Sequence, residues 1–553
     1  MRLAFDIETD GLPPDYTQVW MVVAREVDGD GEWIFCDHHG GRPLAEFKQL
    51  LYCADELIGH NIINFDIPAL QDLCGFVLNP KTKVTDTMIM SQLLNYTRFK
   101  GNRHNLRVWG EHLGFPKGDH DEWHQYSPEM LEYCRQDVRV QVEVFKALNK
   151  ELAEQAKHRP MINEAMEVEH RIQTMMTAQC RAGWTVDVDK MKNLMEQIRA
   201  DMKQIEEFIE PKLRIKVVNK GTFKAKFKKD GTLYASTIKH IGNVDISEPV
   251  PFEYSVIDFA EPNMGNMDSV KAFLYSIGWK PDEWNWKRLP TGEFIRVSPK
   301  LTDTSLALLG EEGHAISRYY TLRSRLSVME GWHTHMDANN RLHGDVFNIG
   351  TPTFRQRHGI IANLPSPKAE YGKEVRELFI AAPDKVLVSA DSASNQVRVL
   401  AHYLNDKSYI DLVLNGDMHQ FNADNAGITR NQAKPAYFAF LYGAGAKKIA
   451  TICGCDEKRG KQIREALMNK TPNLQKIINN LTRRWEQTRG ATGKGFFFGL
   501  DGRRIFAEDA FKCLNYLIQG GEAVVMKWTL YYIDKALQEE GIDYTGLLFY
   551  HDE

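Results

Sequence analysis

The sequence predicts a multidomain chain of mixed α/β and α+β class, and three observations carry that prediction. At 553 residues, with 43% hydrophobic and 26% charged residues, it exceeds what one core holds and has a globular balance. Its first residues, RLAFDIE, alternate like a strand and are followed by helical patterns, as an α/β domain requires. Beyond residue 160 long helical periodicity dominates, interrupted by a β-rich stretch over 213–262. No apolar run approaches the roughly 18 residues of a membrane span. The N-terminus carries acids where a signal peptide needs an apolar run. The 8 cysteines form no C-x2-C pairs and read as reduced cytosolic thiols. A net charge of −5 does not announce a nucleic-acid binder, although residues 212–229 hold eight Lys/Arg and no acid.

In the opening strand Asp6 and Glu8 stand two apart and share a face. Side by side they repel each other, which a divalent cation between them would relieve. GHNIINFD then brings Asn61, Phe65 and Asp66, and EYCRQDVRVQVEVF places Tyr133 and Asp137 four apart on one helical face. Each piece alone is weak, because surface acids are common. Asp86 precedes the helical run TMIMSQLLNY and is expected to cap it, with Trp109 as core. A new helical pattern begins near Lys157–Pro160 and marks a domain boundary.

Residues 162–210 read as amphipathic helix broken at Gly183-Trp184. The run Phe223 to Lys228 alternates cations with aromatics, which suits a nucleic-acid backbone as well as a solvated edge hairpin guarded by lysines. Helical periodicity returns at Asp268–Gly278 and Ser305–Glu330. Val386–Ala390 is expected to form a buried strand ending at Asp391, before a helix that starts near Gln396. In RNQAKPAYFAFLYG, residues Arg430, Lys434, Phe438 and Tyr442 recur every fourth position, drifting only about 40° per step around a helix. Two cations followed by two aromatics along one stripe would hold a polyphosphate at one end and a flat base at the other. An amphipathic helix with snorkelling cations would give the same stripe. Pro435 is expected to kink this helix or delay its start. Asn515 and Gln519 fall four apart on one face of a later helix, and Leu547–Tyr550 reads as a strand arriving at His551-Asp552-Glu553.

The pattern R-x3-K-x3-F-x3-Y-G resembles the nucleotide-binding helix in the fingers of the DNA polymerase I family, family A, and most closely its bacteriophage replicases. The ordered set D-x-E, N-x3-F-D, Y-x3-D resembles the 3′–5′ proofreading exonucleases. The resemblance therefore implies a ribonuclease-H-like exonuclease domain followed by a right-hand polymerase of thumb, palm and fingers. It implies that Asp6, Glu8, Asp66 and Asp137 hold two Mg²⁺ ions roughly 3.5–4 Å apart, with Tyr133 orienting the attacking water. None of these acids is replaced, against a domain kept only for scaffolding. In the polymerase, Asp391 and Asp552 are implied to bind two further Mg²⁺, with Mn²⁺ as the alternative ion at either site. Arg430, Lys434 and His419 are implied on the triphosphate, and Phe438 and Tyr442 on sugar and base. Arg355, Asn515, Gln519 and His551 are implied to contact the primer–template. The family's D-x-S-x-x-E appears here with Ala393 and Gln396, so the residue facing the 2′ position is an amide rather than a carboxylate.

The implied boundaries are 1–157 for the exonuclease and 158–345 for a thumb with a basic insertion at about 212–262. Palm follows at 346–403 and 513–553, around fingers at 404–512. Relatives continue past the HDE motif with a return strand, so the resemblance implies a truncated C-terminus. The implied partners are primer–template DNA and dNTPs, for a monomer in the cytoplasm of an infected bacterium. No processivity factor or replicative helicase is identifiable by residue. Two other readings follow from single features: an RNA-polymerase-like enzyme with relaxed sugar selection, from Gln396, and a nuclease or DNA-binding scaffold with an inactive polymerase module.

Overall fold

The computed structural model describes residues 1–38, 41–242, 250–291, 293–362, 364–490 and 493–551. The chain forms two compact units, one of residues 1–183, 343–362 and 386–553, the other of 184–342 and 363–385.

The first unit opens on a five-stranded sheet of β1 (Arg2–Thr9), β2 (Val19–Glu26), β3 (Glu32–Phe35), β4 (Glu56–Gly59) and β5 (Lys83–Asp86) in the order β3-β2-β1-β4-β5. β1 pairs antiparallel with β2 and parallel with β4, an arrangement of the ribonuclease-H type. As the central strand, β1 buries Leu3, Ala4, Phe5 and Ile7, so its apolar residues occupy both faces. The 29-residue helix Pro128–Ala156 lies across the sheet, with Ser127 capping its first turn and Pro128 at its first position. The expected Asp86 cap is present: its carboxylate accepts from Met88 N at 2.9 Å and also from Asn61 N and Ile63 N. Trp109 is buried and donates to Ser91 Oγ.

The helix Met161–Ala182 ends at Gly183, whose φ of 63° is left-handed backbone that favours glycine. Its Glu169 is fully buried and receives Arg503 and Lys527, each at 2.7 Å, while Asp501 takes the other end of Arg503 at 2.6 Å. Asn348 donates to Glu169 Oε2 at 2.9 Å, completing the cluster. Four charges without water are tolerable because each is paired and hydrogen-bonded. The rest of this unit includes the helices Asn395–Leu404, Met418–Ala426, Arg430–Leu441 and Cys513–Glu539. Gly521 lets the last of these approach Val399: a Cβ at Gly521 would lie 2.4 Å from Val399 Cγ1.

Residues 386–390 and 547–550 are not strands, contrary to their apolar alternation. A strand exists as part of a sheet, and neither segment belongs to one among the described residues. Val386 and Val388 are consequently exposed, while Phe549 packs with Val168, Ile172 and Met526.

In the second unit the helices Val188–Ile209 and Gly310–Trp332 pack together, with Arg199 to Glu330 at 2.8 Å and Tyr319 to Glu206 at 2.9 Å. The basic stretch forms the antiparallel pair Lys216–Lys224 and Glu253–Ala260. Lys220 and Lys224 reach Asp258 and Glu253 of the opposite strand, at 3.3 and 3.5 Å. A second hairpin, Trp284–Arg288 with Phe294–Pro299, was not signalled by periodicity, because its apolar residues are exposed on a two-stranded sheet.

Candidate active sites

The carboxylates of the N-terminal domain meet at one end of β1. Asp6 and Glu8 come from the strand, Asp66 from the start of the helix Asp66–Cys74, and Tyr133 and Asp137 from the long helix. Asp6, Glu8, Tyr133 and Asp137 line a cavity of about 340 Å³ together with His60, Asn61, Lys117, Trp123 and Gln141. Burial raises the pKa of all four acids, and neighbouring carboxylates add to the rise at Asp6, Glu8 and Asp66. Asp66 is pushed up to about 7. Asp66 Oδ1 and Asp137 Oδ1 are buried without a hydrogen-bond partner. Buried, mutually repelling carboxylates with unsatisfied oxygens fit a divalent cation. Lys117 supplies part of the missing charge: its ammonium pairs with Asp137 and stands 4.6 Å from the centre of the Tyr133 ring. Gln141 donates to Asp6 Oδ1 at 3.1 Å. Neither residue was found by sequence reasoning, although Gln141 lies four after Asp137 on the same helical face.

In the helix Arg430–Leu441, Thr429 and Gln432 form a capping box, which fixes the start at Arg430 despite Pro435. The expected delay does not occur, since Pro435 lies inside the helix. Ala433, Ala436, Tyr437, Phe440 and Leu441 are buried, leaving Arg430 and Lys434 exposed and Phe438 and Tyr442 half-buried. The stripe therefore faces outward as one surface. His419, from the neighbouring helix, stands 6.1 Å from Phe438 ring to ring. Its pKa is lowered by burial and by the Lys434 and Arg430 cations, so the ring is neutral at pH 7. Arg430 Nε donates to Asp417 at 2.8 Å, and Asp417 also caps the His419 helix, roles not anticipated from sequence. Tyr442 OH donates to Gln396 Oε1 at 2.6 Å, which joins two motifs far apart in the chain.

Asp391 is exposed, not buried at a strand end, because the expected strand is absent. Asp552 lies outside the described residues. Arg355 forms an ion pair with the buried Glu522, another partner that sequence reasoning missed. Glu522 lies on the helix that carries Asn515 and Gln519, both half-buried. His551 is near enough to Arg355 for the cation to reinforce burial in lowering its pKa to about 4.

Residues 300–553 match the family model for DNA polymerase family A, and residues 2–153 match that for a 3′–5′ exonuclease. The DNA-directed DNA polymerase of Enterobacteria phage T3 is 24% identical over 674 residues, covering 100% of this chain and 93% of the relative. That of Escherichia phage T7 is 24% identical over 613 residues, covering 90% and 85%. Among solved structures, the POL domain of Pol1 from M. smegmatis, in complex with DNA primer-template and dNTP, superposes with a TM-score of 0.70. It is 16% identical and covers 100% of this chain and 88% of that one, a likeness of fold. These matches do not favour the RNA-polymerase-like or inactive-scaffold readings. The chain is a DNA-directed DNA polymerase that joins a 3′–5′ exonuclease domain, over residues 2–153, to a DNA polymerase family A domain, over residues 300–553, and it is similar to the polymerases of phages T3 and T7.

Proposed function

We propose that the two activities reside in two separate side-chain constellations and that each uses Mg²⁺. In the exonuclease, Asp6, Glu8, Asp66 and Asp137 would hold the metal, and Tyr133 would orient the attacking water beside Lys117. A divalent cation held there would supply the charge that offsets the carboxylates and lowers the pKa of the water. In the polymerase, Arg430, Lys434 and His419 bind the triphosphate, Phe438 and Tyr442 pack on sugar and base, and Gln396 faces the 2′ position. Asp391 and Asp552 form the catalytic pair. Arg355, Asn515, Gln519 and His551 position primer–template DNA.

The observation that supports this most directly is the Tyr442–Gln396 hydrogen bond, which puts the end of the nucleotide stripe beside the sugar-facing residue. The proposed domains are exonuclease 1–157, thumb 158–345, palm 346–403 and 513–553, and fingers 404–512. We propose primer–template DNA and dNTPs as substrates, with the protein working as a monomer in the cytoplasm of an infected bacterium. Among the described residues no helix is long and apolar enough to cross a membrane. Primer extension with dNTPs on a recessed template, run beside degradation of a labelled single strand, tests both assignments. Asp6→Ala with Glu8→Ala should abolish degradation and leave extension intact, and equal loss of both activities would overturn the two-site reading.

A further inference from the structure

The helix Pro128–Ala156 brings a residue to the carboxylate site that the exonuclease reading leaves unused. Cys134, Asp137 and Gln141 follow at i, i+3 and i+7, so they share the helical face turned toward β1. Cys134 is fully buried. Its Sγ and one carboxylate oxygen each from Asp6 and Glu8 lie within 4.8 Å of one another. Among the described residues this is the one place where three such ligand atoms from His, Cys, Asp or Glu come so close.

A lone buried cysteine is ordinarily a small apolar packing residue. Two features set this one apart. Although Cys134 belongs to the hydrophobic core, its sulfur comes within 4.8 Å of a carboxylate oxygen of both Asp6 and Glu8. The same carboxylate group also contains Asp66 Oδ1 and Asp137 Oδ1, buried oxygens with no hydrogen-bond partner, on side chains that are 3% and 2% exposed. Such oxygens call for a cation, and the nearest uncommitted soft donor is the thiol.

We propose that Cys134 is a sulfur ligand in the exonuclease site, giving the chain a mixed oxygen–sulfur pocket that takes a thiophilic divalent ion such as Zn²⁺ or Cd²⁺. The all-oxygen set of Asp6, Glu8, Asp66 and Asp137 suits a hard ion such as Mg²⁺. Replacing one oxygen donor by sulfur shifts preference toward the softer metals, which bind thiolate strongly. On coordination the S–H bond is replaced by an S–metal bond, and the proton leaves to water with no change of oxidation state. The inference rests on the reading of Asp6 and Glu8 as metal ligands.

The test uses full-length protein stripped of metal with a chelator and loaded with equimolar Cd²⁺. X-ray absorption at the cadmium edge should report one sulfur among oxygen neighbours, with a sulfur-to-metal charge-transfer band in the ultraviolet. Cys134→Ser should lose both signals. Asp6→Asn with Glu8→Gln should lose cadmium uptake at this site. An oxygen-only environment in the unaltered protein would overturn the sulfur ligand and leave the carboxylate site standing. A sulfur signal retained in Cys134→Ser would overturn it too, by locating the ion at another cysteine. Uptake unchanged in the Asp6→Asn, Glu8→Gln variant would instead overturn the carboxylate reading on which the proposal rests. Should Cys134→Ser fail to fold, Cys134→Ala and the spectrum of the unaltered protein still decide the matter: an oxygen-only environment, or a sulfur signal kept in Cys134→Ala, would overturn the sulfur ligand.

Discussion

Asp66 carries a cost that a bound cation would remove. Its carboxyl titrates near 7 in the folded chain against an ordinary value of 3.8, because burial and neighbouring carboxylates disfavour the anion. Between those values the folded state holds a proton that the unfolded state has released. Stability contributed at this site therefore falls as pH rises from about 4 to about 7. Asp66→Asn cannot ionise, so in chelator it should be more stable than the parent at pH 7, by about 1–3 kcal/mol, the scale of an unsatisfied buried polar group. The gap should close below pH 4 and on adding Mg²⁺, and thermal melts across that window would show it. Gln396 poses a different single-residue question. Its amide oxygen already accepts from Tyr442, so Gln396→Glu keeps that bond and adds charge near the sugar. Ribonucleotide incorporation should fall relative to dNTP, whereas Tyr442→Phe, which frees the amide, should raise it. Each change is expected to move selectivity by about 1–3 kcal/mol in single-turnover competition.

Among the elements, the helix Arg430–Leu441 depends on its N-terminal box more than on propensity, since Pro435 removes one internal bond. Thr429→Ala should destabilise its first turn by about 1 kcal/mol and raise the KM for dNTP more than it lowers kcat. That helix was legible in the sequence because its signals are local: a cap, a four-residue period and small residues on the packed side. The apolar alternation over 386–390 and 547–550 misled, because a strand exists only within a sheet and alternation names no neighbouring strand. The carboxylates Asp6, Glu8, Asp66 and Asp137 could be picked out by their order along the chain. Lys117 could not, because it reaches Asp137 through tertiary packing rather than helical spacing. The Arg355–Glu522 pair, joining residues 167 apart, was invisible for the same reason. In the basic hairpin, Lys220 and Lys224 already have acidic partners, so Lys226, Lys228 and Lys229 are the better cations to neutralise. If that strand contacts DNA, their loss should flatten the salt dependence of template binding by up to about 0.9 in log–log slope per contact. An unchanged slope would leave it a solvated edge.

On the scale of the whole molecule, the N-terminal sheet and the Arg430–Leu441 helix belong to the same compact unit. Tyr96 donates to Gly350 O at 3.0 Å and packs edge-on against Phe354, so the nuclease is not a bead on a flexible string. The buried cluster around Glu169 sets where such a protein can be cut. Glu169 sits on the first helix after the nuclease, yet Arg503 and Lys527, from the other end of the chain, depend on it. A nuclease-free fragment beginning at Met161 keeps that anion. One beginning at Trp184 strands the interior Lys527 and leaves Arg503 with Asp501 alone, at a cost of about 3–5 kcal/mol if the loss resembles other broken buried pairs. The usable excision point is therefore the short connection ahead of Met161, and a gene edited there should yield folded polymerase where one edited 23 codons later yields aggregate.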